Sequence, residues 1–350
     1  MNEMWKPDWS ELTAHAQGRD EVMEFARPEL VQEFYPMGLR VRVETNHPDI
    51  LAAACESFAR YPTPRVPPDV PDITLRLFVQ EVDDGIEAAR RARSVFRVQE
   101  HYFCVTAGRD AMMMGDQARG RVFGFLPPSL VSDHQYVRHH FIEAGFYVIL
   151  MTRGFVGVHG AGLAKDGRAI LLRGWQGTGK STLAFACVRR GWQLLGEDKV
   201  WAHWASPAQE WWGAPWTLSL LPDAQHFFPE LAAQPVVPMS NGEQKIVLDL
   251  DQIAPNAAVT RTAPGVLVFL ERHMGTDSHV SALTPPQAFH HFLNPICEPA
   301  GPSHVGYTTA VEQLLARPSY RLQLGTQLDA AVDALEELLT MATFYTPTRF

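Results

Sequence analysis

Apolar and charged side chains alternate through Leu39-Arg40-Val41-Arg42-Val43-Glu44, the period of a strand with one buried face. Residues 1 to about 37 hold no sustained period and read as an irregular or helical lead-in. Pro48 suits a first helical position, and residues 50–61 continue from it as a helix. A loop rich in proline (Pro62, Pro64, Pro67, Pro68, Pro71) follows. Strand patterns recur at 73–79, 95–98, 102–107 and 121–125, punctuated by Gly108 and Gly120, and predict a mostly antiparallel β region. Asp133 is placed to cap an apolar helix that runs to about Thr152 and is broken by Gly154.

The second half changes character. Residues 155–164 and 168–172 read as two strands joined by a Lys165-Asp166-Gly167 turn, and the second leads straight into Gly174-Trp175-Gln176-Gly177-Thr178-Gly179-Lys180-Ser181. A helix is predicted over 180–190, closed by Gly191, and a short strand over 192–195 ends at Glu197-Asp198. Beyond a segment holding Trp201, Trp204, Trp211, Trp212 and Trp216 come strands at 245–250 and 265–270 and a helix at 329–339. The pattern predicts an α/β protein with an N-terminal α+β region over 1–154 and a nucleotide-binding domain over 155–350.

The glycine segment matches Gly-x-x-x-x-Gly-Lys-Ser/Thr in full, between an apolar strand and a helix. Glycines let backbone N–H groups converge on phosphate oxygens, and the helix N-terminus adds its positive dipole end. Lys180 bridges the outer phosphates and the Ser181 hydroxyl ligates magnesium. The expected ligands are therefore ATP and Mg2+, held by Gly174, Gln176, Gly177, Thr178, Gly179, Lys180, Ser181 and Thr182. Glu197-Asp198 arrives after only one helix and one strand, sooner than the usual ATPase acid. Two adjacent carboxylates beside a triphosphate can divide the work, one holding metal and the other taking a proton, because like charges separate their pKa values.

Composition narrows the partners. The 350 residues are 46% hydrophobic, enough for one large or two ordinary cores, and the net charge of −9 argues against the broad basic field of a nucleic-acid or anionic-membrane binder. Cys55, Cys104, Cys187 and Cys297 are scattered, with no Cys-x-x-Cys pair, which fits a reducing compartment rather than a zinc ribbon or disulfide framework. The polar start lacks a signal-peptide pattern and no stretch reaches a membrane-spanning length, so the expectation is a soluble cytoplasmic protein.

Val158-His159-Gly160, the glycine loop and Arg189-Arg190-Gly191-Trp192-Gln193-Leu194-Leu195-Gly196-Glu197-Asp198-Lys199-Val200 together resemble the catalytic domain of HPr kinase/phosphorylase and its related kinases. The spacing agrees over about 45 residues, and a weaker likeness follows Tyr320-Arg321-Leu322 into the last helix. Phosphoenolpyruvate carboxykinase shares this plan, and its loop is similar to Gly177-Thr178-Gly179-Lys180-Ser181. The resemblance implies an HPr-kinase/carboxykinase-like P-loop fold and phosphorylation of a hydroxyl, on a peptide, a protein or a small molecule. It implies that Asp198 is the second metal-associated carboxylate, that Glu197 stands where the kinases carry the Asp that takes the acceptor proton, and that His159 lies near the transferred phosphate. The family's glycine-rich stretch for reverse phosphorolysis has no match here, and residues 1–150 do not resemble its regulatory domain, so HPr itself is not the expected substrate.

Lys245 and Arg261 are further candidates for balancing charge on the moving phosphoryl group, and Glu271 for facing the nucleotide from a neighbouring strand. The tryptophans suit a pocket wall, internal packing or a homo-oligomer contact. His139-His140 and His290-His291 lack partners at metal-ligand spacing, and Arg90-Arg91-Ala92-Arg93 reads as a solvated face. Two other classes stay open: a nucleotide-binding regulator or assembly protein with weak ATPase activity, and a compact carboxykinase-like enzyme.

Overall fold

The structure is a computed structural model that describes residues 27–65, 71–80, 94–108, 110–239, 242–293 and 304–342. The lead-in through residue 26, Pro67 and Pro68, the Arg90–Arg93 run and Cys297 lie outside the described residues. The chain forms two compact units, Met1–Phe146 and Tyr147–Phe350. The division falls eight residues ahead of the boundary expected at 154/155, inside a helix.

The first unit is built on β1 (Leu30–Phe34), β2 (Val41–Thr45), β3 (Ile73–Val79), β4 (Val95–Gln99), β5 (Tyr102–Ala107), β6 (Ala111–Asp116) and β7 (Arg121–Leu126). They form one sheet in the order β1-β2-β3-β7-β6-β5-β4. Most joins are antiparallel, as expected, but β2 with β3 and β3 with β7 are parallel. The crossover between β2 and β3 contains α1 (Pro48–Phe58), which begins on proline and is capped by the His47 ring accepting from the Asp49 N–H at 3.2 Å. β6 is absent from the sequence reading because its solvent face carries Met112 and Met114, so its apolar pattern does not alternate although its burial does.

The helix expected over 133–152 forms with an interruption. Asp133 caps it through the Tyr136 N–H at 3.1 Å, and a π turn at Arg138–Ile142 precedes α2 (Glu143–Thr152).

The second unit has a larger sheet. Its strands are β8 (Phe155–His159), β9 (Ala161–Lys165), β10 (Arg168–Arg173), β11 (Gln193–Gly196), β12 (Lys199–His203) and β13 (Trp211–Gly213). β14 (Thr217–Leu220), β15 (Val236–Pro238) and β16 (Gln244–Asp249) make a separate three-stranded sheet, and β17 (Arg261–Arg272), β18 (His279–Ala282) and β19 (Ser319–Leu324) complete the large one. Its longer helices are α3 (Lys180–Arg189), α4 (Pro285–Leu293), α5 (His304–Leu315) and α6 (Leu328–Ala342). The single strand expected over 155–164 is two. It breaks at Gly160, where a side chain would meet the Leu172 carbonyl oxygen at 2.5 Å, and β8 and β9 then take different partners.

β10, β17 and β19 are adjacent and parallel, and the first two are apolar on both faces. Ile170, Leu172, Val266, Val268 and Leu270 pack with α3 and α6; Leu171, Leu267 and Phe269 pack on the opposite side with α4 and α5. A parallel sheet covered on both faces has this continuous apolar pattern. The β10–β17 register shifts between Ala169 and Ile170, where Gly265 on β17 is the extra residue. A side chain there would meet the Ala169 carbonyl oxygen at 2.2 Å. Among the described residues, no helix is long and apolar enough to cross a membrane.

Glu336 on α6 ties that helix to the sheet: it pairs with Lys165 and accepts from the Trp192 indole N–H at 3.2 Å. The Lys165 hydrogen bond holds its carboxyl below the ordinary value. A carboxyl depressed in the folded state adds stability above its unfolded pKa, and that stability is lost as pH falls through the folded one. Glu336→Gln is therefore expected to lower the melting temperature at pH 7 by about 1–3 °C, the discounted worth of a solvent-screened pair. Thermal scans against pH check this, and the gap to wild type is expected to close below the carboxylate range.

Candidate active site

The glycine loop joins the end of β10 to the start of α3. Gly177 and Gly179 sit at φ 80° and 95°, where a Cβ is disfavoured, and a side chain at Gly174 would meet the Leu270 carbonyl oxygen at 2.8 Å. Thr178 braces the turn from within, its hydroxyl donating to the Trp175 carbonyl at 2.8 Å. The Lys180 ammonium turns back over the loop and donates to the carbonyls of Gly174 at 2.8 Å and Trp175 at 3.1 Å. Burial lowers its pKa, offset by Asp198 and Glu197 and reinforced by Arg173. Thr182 lies half-buried in the first turn of α3.

Ser181 donates its hydroxyl hydrogen to Glu197 Oε1 at 2.7 Å, and the other carboxylate oxygen accepts from the Ser219 N–H of β14 at 3.2 Å. Glu197 makes no ion pair among the described residues, and burial raises its pKa; Asp198 adds to that rise, while Ser181, Ser219 and Lys245 oppose it. Asp198 faces elsewhere. Its carboxylate is 3.2 Å from His159 Nδ1, its side chain is 73% exposed against 23% for the histidine, and its carbonyl accepts from the Gly160 N–H at 2.9 Å. The resemblance implied Asp198 as the metal-associated acid, whereas the geometry puts Glu197 on the Ser181 hydroxyl and Asp198 on His159. Both acids lie in the bend between β11 and β12, just after the β11–β9 register shifts between Leu194 and Gly196.

The weaker candidates separate cleanly. Lys245 stands on β16 and acts on Glu197 by charge while pairing with Glu243 at 3.3 Å; Glu243 also binds the Gln176 amide of the loop. Arg261 begins β17 and is paired with Glu210 at 3.5 Å, about 26 Å of strand away from the residue opposite Arg173. At the far end of that strand Arg272 donates to the Gly177 carbonyl at 3.4 Å. Glu271 turns to His291 and Arg321, each at 3.9 Å.

A buried residue also escaped sequence reading. Arg173, immediately before the loop, is only 6% exposed, donates to the His159 and Phe292 carbonyls at 3.2 and 3.0 Å, and lies over the Phe292 ring at 4.1 Å. Its adjacency to Gly174 was visible, but not its burial. The tryptophans pack: Trp201, Trp211 and Trp212 are buried, and Trp201 stacks on Tyr147 at 4.9 Å. Among the described residues, no group of three or more His, Cys, Asp or Glu side chains is arranged to hold a metal. Magnesium ordinarily needs no such cage, taking one or two carboxylates together with phosphate oxygens and water.

No family model matches the chain, and no curated protein matches it. Among solved structures it is similar to the HPr(Ser) kinase/phosphatase from Coxiella burnetii, at TM-score 0.28 and 13% identity, over 53% of this chain and 99% of that one.

Proposed function

We propose that this chain is a magnesium-dependent kinase that transfers the γ-phosphoryl group of ATP to a hydroxyl on a peptide, a protein or a small molecule. The observation that carries the reading is the Ser181–Glu197 contact at 2.7 Å with the His159–Asp198 pair beside it. The first supplies oxygen donors at the end of the glycine loop, and the second supplies a proton acceptor in His159, oriented by the exposed Asp198 carboxylate.

A buried carboxylate without a counter-ion is costly, and hard oxygen donors suit magnesium, so Ser181 and Glu197 fit that ion. Bound there, magnesium would neutralise charge on the phosphates. Lys180 turns from its own loop carbonyls to the outer phosphates, and the loop N–H groups hold them in line. Asp198 accepts from Nδ1–H of His159, which fixes the tautomer and places the basic lone pair on Nε2. Nε2 takes the acceptor proton as the acceptor oxygen bonds to the γ-phosphorus; the bond to the bridging oxygen breaks and ADP leaves. Arg173 holds the His159 backbone and, through its charge, lowers the proton affinity of Lys180.

The test is transfer of labelled γ-phosphate into a panel of serine peptides and polyol or amino-alcohol metabolites. Stable label in one acceptor, cut about a hundredfold or more by His159→Gln, is the expected result. ATP binding with slow hydrolysis and no labelled acceptor would favour the regulator instead.

A further inference from the structure

A phosphate loop grips only half of a nucleotide. The rest needs a seat near the same edge of the sheet, outside the carboxyl ends of the parallel strands. Here two loops rise at that edge beside the glycine loop, one after β17 and one after β19. They are fastened together: His273 N–H donates to Leu324 O at 2.9 Å, Thr326 N–H to Gly275 O at 3.2 Å, Gln327 N–H to Thr276 O at 3.0 Å, and Gly325 N–H to Ser278 Oγ at 3.1 Å. They are also fastened to the phosphate side. Arg272 reaches the Gly177 carbonyl, and Leu324 packs so closely on Gly179 that a side chain there would stand 2.9 Å from its methyl group.

From this junction a cavity of about 550 Å³ opens between the start of α6 and the flank of α3. Its polar groups at the loop end are Thr326 and Gln327, both exposed, and Ala186 and Phe227 form apolar wall, the ring being 39% exposed. The arginines at the rim are already engaged, Arg189 with Glu230 at 3.1 Å and Arg190 with Asp333 at 2.7 Å. Asp329, also in the lining and with its side chain 88% exposed, pairs with Arg190 at 3.6 Å, so an occupant meets an aromatic face, amide and hydroxyl edges and one exposed carboxylate. Ala186 lies about 9 Å further along α3 than Lys180, a separation suited to a base whose phosphates sit on the loop. The volume falls within the range of small-molecule sites.

We infer that this cavity is the nucleoside seat, with the Phe227 ring against the base and the Gln327 amide and Thr326 hydroxyl on its polar edge or the ribose. The inference rests on the glycine loop binding phosphates, and the experiment separates the two. Isothermal titration with magnesium compares ATP with inorganic tripolyphosphate, which has the phosphates and no base, on wild type, Phe227→Ala, Gln327→Ala and Lys180→Ala. Both cavity residues are exposed, so the variants are expected to fold, as circular dichroism would verify. Phe227→Ala and Gln327→Ala are expected to weaken ATP about tenfold each, the size of a lost base contact, with tripolyphosphate unchanged. If ATP affinity survives both substitutions, or both ligands weaken alike, the seat is elsewhere. If wild type binds tripolyphosphate no better than Lys180→Ala does and ATP not at all, the phosphate reading fails and takes the seat with it.

Discussion

Lys180→Ala is expected to abolish measurable magnesium-dependent ATP binding in the micromolar range while leaving the protein as stable as before. The ammonium makes charge-assisted contacts to the outer phosphates, and removing such a group costs about 2–4 kcal/mol, or roughly 30- to 1000-fold in affinity. Among the described residues its hydrogen bonds go to the Gly174 and Trp175 carbonyls, and burial disfavours its charge. Its loss therefore relieves a desolvated cation. Titration calorimetry and a melting curve on the same preparation measure the two effects separately. A variant that binds Mg·ATP as well as wild type would remove the loop from the mechanism.

The second large effect distinguishes the two acids. Glu197→Gln is expected to reduce transfer about 10²- to 10³-fold and to erase the magnesium dependence of ATP binding, because it removes the charge beside Ser181. Asp198→Asn is expected to reduce transfer comparably while leaving magnesium-dependent binding intact, and combining it with His159→Gln should add little, since the pair acts as a unit. Stability gives an independent readout. Burial raises the Glu197 carboxyl pKa, so its favourable contribution is present below the unfolded pKa and is lost as pH rises through the folded one. Glu197→Gln should flatten that loss, leaving the variant no less stable than wild type at pH 7. The opposite pattern, with Asp198→Asn losing magnesium dependence and Glu197→Gln keeping it, would restore the roles implied by the family resemblance.

Much of the second unit was legible because its elements obey one period each. β10 is a short apolar run that ends in a glycine motif, and α3 begins on the lysine of that motif and closes at Gly191. What could not be read was direction. Glu197 and Asp198 are neighbours on a chain that bulges just before them, and counting by twos from Leu194 on the α3 side would send Asp198, not Glu197, to Ser181. Arg261 and Arg272 bound the same strand, and residue type does not say which end meets the loop. β6 vanished from the pattern because methionines occupy its open face. The nucleoside seat has no motif at all, being assembled from a loop after β19, a helix flank and a short turn near Phe227.

β17 poses a problem of information rather than of energy. Both of its faces are greasy, so polarity cannot tell the strand which residues belong on which side, and a slip of one position would cost little by hydrophobic matching alone. Gly265 removes the ambiguity. Its bulge admits only a residue without a side chain under the Ala169 carbonyl, which fixes the phase of every residue downstream as a notch fixes a ruler. Arg272, seven residues on, meets the Gly177 carbonyl only while that notch is engaged. Moving the glycine by one place would leave composition and hydrophobicity unchanged and would still misdirect the far end of the strand.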